Sequence, residues 1–394
     1  MKQSVDIAIV GGGVIGSAIA WFLTQAPDPP TVALIEKDRC FTQASTTLSV
    51  GGIRQQFSTA ENIAMSLYAA RFVRDAGILL AVGNEHPEVT FRENGYLMLA
   101  SAAGEDILRC NTALQQSMGA DIALLSPDEI GIRFPWLSPA GLAAGALGQS
   151  GEGWIDPASL LQAFRRKARE QGALLIDDRV IGIEQAAGRV NGVSLASGDV
   201  IRCGEVVIAA GPDSGAVARL AGADIPVEPR RRQVFVIDAR REIPDCPLIV
   251  DPSGVYVRPE GKYFICGKSP AETDDLPGWR ADDPVDYRQF EEDIWPVLAE
   301  RTPLFEAVKV INAWVGHYDY NPVDQNAIVG PVPGFENLHV ASGFSGHGLQ
   351  QAPAVGRAMA EQLLTGGFQS LDLSRFGADR FGPGGKLVLE RNIV

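Results

Sequence analysis

Three glycines close to the N-terminus constrain the fold of this chain more than any other feature. Gly11, Gly13 and Gly16 follow the apolar run Val5–Val10 and open the helical pattern Val14–Gln25. This order of strand, glycine turn and helix predicts a βαβ unit that binds a dinucleotide. The first glycine would make a tight turn, the second would let the backbone approach a pyrophosphate, and the third would let the helix pack against the strand. The free N–H groups at the start of that helix attract phosphate.

An acidic residue supports the same interpretation. The second predicted strand is Thr31–Glu36, and Glu36 lies 20 residues after Gly16. A carboxylate at this point accepts hydrogen bonds from ribose hydroxyls. We therefore expect the dinucleotide site to include, besides the glycines, Val14, Ile15, Glu36 and Lys37.

A later part of the chain favours FAD over NAD. Short strands are predicted at Val180–Gln185, Val190–Leu195 and Val200–Cys203, and the apolar run Val206–Ala210 then ends at Gly211. A three-stranded meander that leads into a buried strand is typical of the glutathione-reductase type of FAD-binding fold, whereas an NAD fold would continue with alternating strands and helices. We expect this part to add Val180, Ala210 and Gly211 to the cofactor site.

The order of the elements predicts two interleaved domains. Late apolar runs at Ala327–Gly330 and Leu338–Gly343 are typical of buried strands that return to the first sheet. The predicted fold class is α/β, with an FAD-binding Rossmann domain and an antiparallel-sheet substrate domain. The FAD-binding domain would comprise residues 1-78, 145-222 and 326-370. The substrate domain would comprise residues 79-144 and 223-325, followed by a C-terminal tail at 371-394.

Charge and cysteine content exclude other classes of protein. The formal net charge of −14 over 394 residues argues against binding to nucleic acid or to an anionic membrane surface. The five cysteines are scattered, with no C-x-x-C pair, so we expect no metal site and no disulfide framework. No apolar stretch approaches the ~18 residues of a membrane span, and the first strand begins directly after Ser4. We therefore expect a cytoplasmic enzyme, with oligomerisation possible.

Two motifs carry a resemblance to a known family. The first is a polar loop that contains Ser45, Thr46, Ser49, Gly51, Gly52 and Arg54. The second is the turn Gly343-Phe344-Ser345-Gly346-His347-Gly348, which is followed by Leu349 and Gln350. In both motifs the chain resembles the D-amino-acid oxidase-like flavoproteins, which include glycine oxidase, sarcosine oxidase and dimethylglycine dehydrogenase. The resemblance implies that the loop lies beside the isoalloxazine ring. It also implies that the turn opens a helix whose N-terminus faces the flavin pyrimidine ring.

Within that family the chain is most similar to a mitochondrial branch of FAD-dependent oxidoreductase-domain proteins linked to complex I assembly. The likeness covers Ser49–Ser66, Trp314–Gly330 and Ala341–Arg357, and it continues to Asn392-Ile393-Val394 at the C-terminus.

The resemblance implies the oxidation of a C–N bond by hydride transfer to flavin N5, with O2 or another electron acceptor. Arg54 is then the expected ligand of a substrate carboxylate, since a guanidinium matches a carboxylate. Tyr256 and Arg258 on the predicted strand GVYVRP, together with His317 and Tyr318, are further candidates for the pocket wall. His347 would lie close to the flavin.

The chain departs from its relatives at several points. The loop Ser45–Gly52 lacks the His, and the region around Gly316-His317 lacks the Cys, that hold FAD covalently in some relatives. We therefore expect non-covalent FAD. Ile265 stands where sarcosine oxidases carry an oxygen-activating Lys, and Gln350 stands where they carry a second carboxylate ligand. An acceptor other than O2 thus stays open, and the basic run Arg230–Arg232 is either a solvated strand end or a docking patch for that acceptor.

The sequence therefore predicts an FAD-dependent enzyme that oxidises a small amino acid with an N-alkylated or D-configured amine. Two alternatives stay open at this point. One is a dehydrogenase for a 2-hydroxy acid, and the other is a non-catalytic assembly or electron-transfer partner that retains FAD for stability.

Overall fold

The computed structural model describes residues 3–390 except 272 and 279–281, so the C-terminal Asn392-Ile393-Val394 lies outside the described residues. The strands of the described chain are, in order, β1 (Gln3–Val10), β2 (Val32–Glu36), β3 (Gly52–Ile53), β4 (Tyr96–Ala100), β5 (Ile122–Leu125), β6 (Ala144–Gly148), β7 (Gly153–Trp154), β8 (Leu174–Asp177), β9 (Val180–Ala186), β10 (Arg189–Leu195), β11 (Val200–Ile208), β12 (Glu228–Asp238), β13 (Leu248–Val250), β14 (Tyr256–Glu260), β15 (Tyr263–Gly267), β16 (Lys309–Tyr320), β17 (Ile328–Pro331) and β18 (Leu338–Ser342).

The α-helices are α1 (Val14–Thr24), α2 (Ala60–Leu79), α3 (Glu105–Ser117), α4 (Pro127–Arg133), α5 (Pro157–Glu170), α6 (Ser214–Leu220), α7 (Trp295–Arg301) and α8 (Gly348–Thr365). A π-helical segment at Gln289–Ile294 leads directly into α7, so the helix predicted at Asp286–Leu298 consists of two parts. Short 3-10 turns lie at Gly211–Asp213, Pro303–Phe305, Ser374–Phe376 and Ala378–Phe381.

The first sheet has the strand order β17-β18-β11-β1-β2-β8, and β9 and β10 continue from β11 as a meander. Strand β1 lies parallel to both β2 and β11. Its side chains alternate between two cores: Ile7 and Ile9 pack with α1, α5 and α8, whereas Ala8 and Val10 pack with the meander. This arrangement confirms the predicted α/β fold, because a parallel sheet is stable only when both faces are covered.

One strand differs from the prediction. The runs Val200–Cys203 and Val206–Ala210 were expected to be separate, yet β11 is continuous from Val200 to Ile208. Its first residues pair antiparallel with β10, while the whole strand pairs parallel with β1. The other edge of β11 pairs first with β10 and then, from Val206 to Ile208, with β18. This change of partner explains why the sequence pattern changes within one strand, with Gly204 between the two parts.

The second sheet has the strand order β16-β12-β15-β14-β13-β4-β6-β5. All of its strand pairs are antiparallel except the pair β4–β13, which is parallel. The sequence predicts a purely antiparallel sheet, and this one pair departs from that prediction. The domain boundary predicted at residue 145 lies inside β6, whose residues pair with β4 and β5 of this sheet. Residues 145–148 therefore do not belong with the first sheet.

The predicted C-terminal tail packs against the helices that cover the first sheet. Leu373 and Phe376 are fully buried in the core beneath α1 and α8. Arg380 donates two hydrogen bonds, of 2.7 and 2.9 Å, to the buried carboxylate of Asp324. The Glu390 carboxylate accepts from Ser58 N and Asn62 Nδ2 at the start of α2. The tail is thus an integral part of the fold.

Candidate functional site

A large cavity of about 630 Å³ lies at the carboxyl ends of β1 and β2. Ligands of open parallel sheets bind at this edge. Most of the predicted cofactor residues line the cavity, namely Gly11, Gly13, Val14, Ile15, Glu36, Lys37, Ser45, Thr46, Ser49, Val180, Ala210, Gly211, Gly346, Gly348 and Leu349. The structure thus brings together residues from four distant parts of the chain.

The three N-terminal glycines have different surroundings. Gly11 has a φ of +110°, and a Cβ there would lie 2.2 Å from the Ala209 carbonyl oxygen. A Cβ on Gly16 would lie 1.9 Å from the Gly11 carbonyl oxygen, so Gly16 serves helix packing and does not line the cavity. Gly13 lies at the cavity wall with no backbone atom near its missing Cβ. The Thr46 hydroxyl accepts from Val14 N at 3.2 Å and ties the polar loop to α1.

Glu36 is held at the cavity wall by two backbone donors. Its carboxylate oxygens accept from Gly12 N at 2.7 Å and from Asp38 N at 2.9 Å. Next to it, Lys37 forms an ion pair with Asp213, which lies across the cavity mouth after β11. Sequence reasoning missed Asp213, since its only signal was its position directly after Gly211-Pro212.

A small cavity of about 80 Å³ adjoins the large one. The two share wall residues, namely Ser45, Ser49, Tyr318, Gly346 and Leu349. The remaining wall of the small cavity includes Gly52, Arg54, Tyr96, Arg232, Val234, Tyr256, His317, His347 and Gln350. This cavity is therefore the candidate substrate site beside the cofactor site.

Arg54 is the central cation of the small cavity and is only 3% exposed. Its backbone N–H donates to Gln350 Oε1 at 2.8 Å, and its Nη2 lies 2.9 Å from His347 Nε2. Burial and the neighbouring guanidinium hold the pKa of His347 well below its usual range. The neutral imidazole accepts a hydrogen bond from Arg54, and the Phe57 ring lies 4.6 Å from the guanidinium carbon. Arg54 thus lies on the wall of the small cavity, and its role as a carboxylate ligand stays a prediction.

Three tyrosines enclose the same cavity. Burial raises the pKa of Tyr96 to about 12 and raises the pKa values of Tyr256 and Tyr318 above their usual range. All three phenols are therefore neutral at physiological pH. The Arg232 guanidinium lies 4.9 Å from the Tyr318 ring centroid and is held by two hydrogen bonds to Asp275, of 2.7 and 2.9 Å.

Arg258 does not line either cavity, so its predicted contact with substrate is wrong. Its Nε donates to the Val50 carbonyl at 2.8 Å, and its Nη1 contacts Glu260 and the Pro259 carbonyl. Alternation along β14 places Tyr256 and Arg258 on the same face of the strand, but Tyr256 reaches the cavity whereas Arg258, two residues further along, lies beneath the loop that contains Val50. Arg258 therefore supports the loop from behind.

His317 lies at the cavity wall, where its carbonyl accepts from the Ser45 hydroxyl at 2.5 Å. Its imidazole Nε2 lies 2.9 Å from Asp283 Oδ2. Alternation along β16 places His317 and Tyr318 on opposite faces of the strand. The two candidates therefore have different surroundings, and Tyr318 is the one common to both cavities.

The second glycine-rich turn is held by a buried acid that the sequence did not reveal. One carboxylate oxygen of Asp319 accepts from Gly343 N at 2.9 Å, from Phe344 N at 3.1 Å and from the Ser342 hydroxyl at 3.3 Å. Burial raises the pKa of Asp319 to about 6. The turn then leads into α8, whose first N–H groups lie at the junction of the cavities.

Four of the predicted cofactor residues lie in the segments around the cavities but line neither of them: Gly16, Gly51, Gly343 and Ser345. Gly51 has a φ of +78°, and a Cβ there would lie 2.2 Å from the Ile155 carbonyl oxygen. Ser345 has a φ of +52° and accepts from Asn321 N. Their role is to shape the loops, whereas Gly52, His347 and Gln350 face the small cavity.

The basic run Arg230–Arg232 is not a solvated strand end. It lies within β12, and all three side chains have partners: Glu228 for Arg230, the Pro284 carbonyl for Arg231, and Asp275 for Arg232. Arg232 lines the small cavity and is therefore not part of an exposed docking patch, whereas Arg230 and Arg231 are half-buried. Ile265, which the resemblance aligns with the lysine of sarcosine oxidases, is buried in one cluster with Val234 of the cavity wall.

Residues 3–390, apart from 272 and 279–281, contain neither a metal-binding cluster nor a membrane-spanning helix. That part of the chain has no group of three or more His, Cys, Asp or Glu side chains arranged to hold a metal ion. It also has no helix with the length and apolar character needed to cross a membrane.

Comparison with known proteins decides the family. The family described as FAD dependent oxidoreductase, abbreviated DAO, matches residues 6–362. The chain belongs to the DAO family. FAD-dependent oxidoreductase domain-containing protein 1 of Xenopus laevis is 42% identical, and the match covers 100% of this chain and 85% of that protein. Mitochondrial dimethylglycine dehydrogenase of Mus musculus is 27% identical over 97% of this chain and 44% of its own length.

Solved structures agree with the family. L-proline dehydrogenase from P. horikoshii is 26% identical, superposes with a TM-score of 0.86 and covers 98% of this chain and 100% of its own. Glycine oxidase from Geobacillus kaustophilus is 22% identical with a TM-score of 0.81, over 96% of this chain and 99% of its own, and this likeness shows the fold alone. The DAO protein is therefore an FAD-dependent oxidoreductase, as predicted.

The residues of the large cavity fit FAD. The turn at Gly11 and Gly13 leaves room for a pyrophosphate at the start of α1, and Glu36 lies where a ribose would bind. The start of α8 offers N–H groups and a positive dipole end at the junction with the small cavity. FAD would thus extend from Glu36 to the junction, with its ring system next to the small cavity.

Proposed function

We propose that this DAO protein oxidises the C–N bond of a small amino acid that has one carboxylate and either an N-alkylated amine or the D configuration. The observation that carries the proposal is the buried guanidinium of Arg54 on the wall of a small cavity that adjoins the FAD site. A guanidinium in a buried site binds a carboxylate strongly, because its planar donors match the two oxygens. The hydride removed from the substrate would be accepted by FAD.

The other wall residues suit such a substrate. The cavity has a volume of only about 80 Å³, so the side chain of the substrate must be small. The tyrosines and His347 are neutral. The strong cations near the substrate amine are therefore Arg54 and Arg232, and Arg232 is paired with Asp275. The positive charge of Arg54 favours the neutral form of a bound amine, whose proton would be released to water before oxidation, and Arg54 would fix the orientation of the Cα–N bond.

The names of related proteins favour the same substrates. Dimethylglycine dehydrogenase, the beta subunit of sarcosine oxidase and L-proline dehydrogenase are all related in sequence or structure. Their names refer to N-methylated or cyclic amino acids. The apolar Ile265 behind the cavity wall supports a dehydrogenase that passes electrons to an acceptor other than O2.

We also propose that FAD is bound without a covalent bond. In the described residues the large cavity is lined by neither His nor Cys. The two histidines of the small cavity have their rings bonded to Arg54 and to Asp283. Acid precipitation of the purified protein should leave all of the flavin in the supernatant, and yellow precipitate would contradict the proposal.

Anaerobic bleaching of the flavin tests the substrate class. Sarcosine, dimethylglycine, L-proline and D-alanine are each mixed with the holoenzyme, with lactate as the 2-hydroxy acid control. At least one amino acid should bleach the flavin, and lactate should not. Arg54→Ala should raise the apparent KM by roughly 10- to 100-fold, because a charge-assisted hydrogen bond contributes about 1.5–3 kcal/mol. Arg54→Lys should give an intermediate effect. Bleaching by lactate alone, or an unchanged KM in Arg54→Ala, would refute the proposal.

A further inference from the structure

A buried carboxyl group lies directly behind the substrate-binding arginine. Glu152 occupies the turn between β6 and β7 and has no exposed surface. Its Oε1 accepts from the backbone N–H of Gln55, and its Oε2 accepts from Gln56 Nε2 at 2.8 Å. Gln55 and Gln56 immediately follow Arg54, so Glu152 holds the backbone that carries the arginine.

Glycines create the space for this carboxyl group. A Cβ on Gly148 would lie 1.8 Å from Glu152 Oε2. Gly151 and Gly153, on either side of the acid, have φ values of +72° and +151°, which side chains rarely permit. A buried acid is expensive unless it has partners. A chamber shaped around it in this way indicates that the acid has a specific role.

The groups around Glu152 come from several elements. Arg54 and Gln56 face it from the loop after β3, and Tyr96 faces it from β4. Glu93 lies on the other side of the same turn, where it accepts from Gly151 N and pairs with Arg74. Burial has the largest influence on the pKa of Glu152 and raises it, whereas the hydrogen bonds from Gln55 and Gln56 and the positive charge of Arg54 lower it.

We propose that Glu152 is a positioning residue for Arg54 and that it takes up one proton from solvent when a carboxylate ligand binds to Arg54. The proposal rests on the carboxylate-binding role of Arg54 in the proposed function. The ionised Glu152 is stabilised by the Arg54 charge. A ligand carboxylate on the same guanidinium opposes that stabilisation, so the proton moves from water to Glu152 and no other bond changes.

The pH dependence of binding follows from this linkage. Burial raises the pKa of Glu152 to about 7, so near neutral pH the free enzyme holds both forms of the acid. Below that pH the acid is already protonated and ligand binding is strong. Above it each bound carboxylate requires a proton, and binding weakens as the pH rises. The effect falls on substrate affinity, hence on KM, and not on kcat.

Propionate, titrated through the flavin absorbance of the holoenzyme at constant ionic strength, is the probe. For the wild type we expect the Kd to rise about five- to tenfold between pH 6 and pH 8. For Glu152→Gln the Kd should change less than about twofold over the same range. Glu93→Gln is the matched control, because Glu93 lies at the same turn but does not contact the Arg54 loop, and it should behave as the wild type. Wild-type pH dependence in Glu152→Gln would overturn the proposal.

A second measurement uses only the wild-type protein, so it tests the proposal even when Glu152→Gln does not fold. Phenol red in weakly buffered wild-type protein at pH 7.5 should report proton uptake when propionate is added, and the infrared carbonyl band of a protonated carboxyl should grow. No uptake and no band would overturn the proposal. Propionate does not turn over, so these results stand apart from the proposed function. That function fails separately, when no amino acid bleaches the wild-type flavin.

Discussion

Replacing Gly11 and Gly13 separately with alanine should separate folding from FAD binding. At Gly11 an alanine would adopt a φ of +110° with its Cβ 2.2 Å from the Ala209 carbonyl oxygen. The backbone strain costs about 1–3 kcal/mol, and the steric overlap costs a similar amount, about 1–3 kcal/mol. At Gly13 the φ is −61°, and the nearest atom to a new Cβ is Thr46 Oγ1 at 3.5 Å. Folding should therefore tolerate alanine at Gly13 at a cost below about 1 kcal/mol.

The two variants should differ most clearly as apoproteins. Thermal unfolding followed by circular dichroism should show Gly11→Ala melting about 2–7 °C below the wild type, with Gly13→Ala within about 1 °C of it. FAD titration should then show Gly13→Ala binding at least about tenfold more weakly, because its methyl group enters the space of the pyrophosphate. An apoprotein of Gly11→Ala as stable as the wild type would refute the steric argument. Wild-type FAD affinity in Gly13→Ala would refute the placement of the pyrophosphate.

Three further outcomes follow from buried groups. The raised pKa of Asp319, about 6, means that the folded protein keeps the proton between pH 4 and 6 while the unfolded chain loses it. The free energy of unfolding of Asp319→Asn, measured with urea, should therefore rise by up to about 3 kcal/mol relative to that of the wild type between pH 4 and pH 6.5. An equal difference between the two proteins at both pH values would contradict this. Arg380→Gln should cost about 3–5 kcal/mol in the same assay, because it leaves the buried Asp324 carboxylate without its guanidinium, and a loss below 1 kcal/mol would show that the tail is dispensable. Gly346→Ala would place a Cβ 2.5 Å from the Tyr318 ring; it should weaken propionate binding more than FAD binding, and unchanged propionate affinity would argue against a tight junction between the cavities.

The dinucleotide half of the fold was predictable because its signals are local. The spacing of Gly11, Gly13 and Gly16 between a strand and a helix reports a single turn of chain, and Glu36 follows at the end of the next strand. In the structure Gly11, Gly13 and Glu36 lie at one cavity wall. A short motif suffices here, since the phosphate site is built mainly from backbone groups.

The substrate half depends on contacts that are distant in sequence, so the sequence predicted it less well. Tyr96 and Glu152 reach the Arg54 loop from β4 and from the turn after β6, and neither lies in a recognisable motif. Arg258 shares a face of β14 with Tyr256, and the strand pattern does not show how far along that face the pocket extends. Here the pocket reaches Tyr256, whereas Arg258 contacts the loop at Val50.

The run Arg230–Arg232 shows why charge in a sequence does not reveal its own function. Three consecutive arginines in an acidic chain are typical of an exposed patch, yet antiparallel pairing places Arg232 opposite Gly316 and Arg230 opposite Tyr318. Alternation then turns Arg232 toward Tyr318 and the cavity, where Asp275 from a separate loop neutralises it. The net charge that a ligand meets is therefore set by the partner of each arginine. Because Arg232 already has a bidentate carboxylate and His347 is neutral, we expect the cavity to bind a ligand with a single carboxylate more tightly than a dicarboxylate.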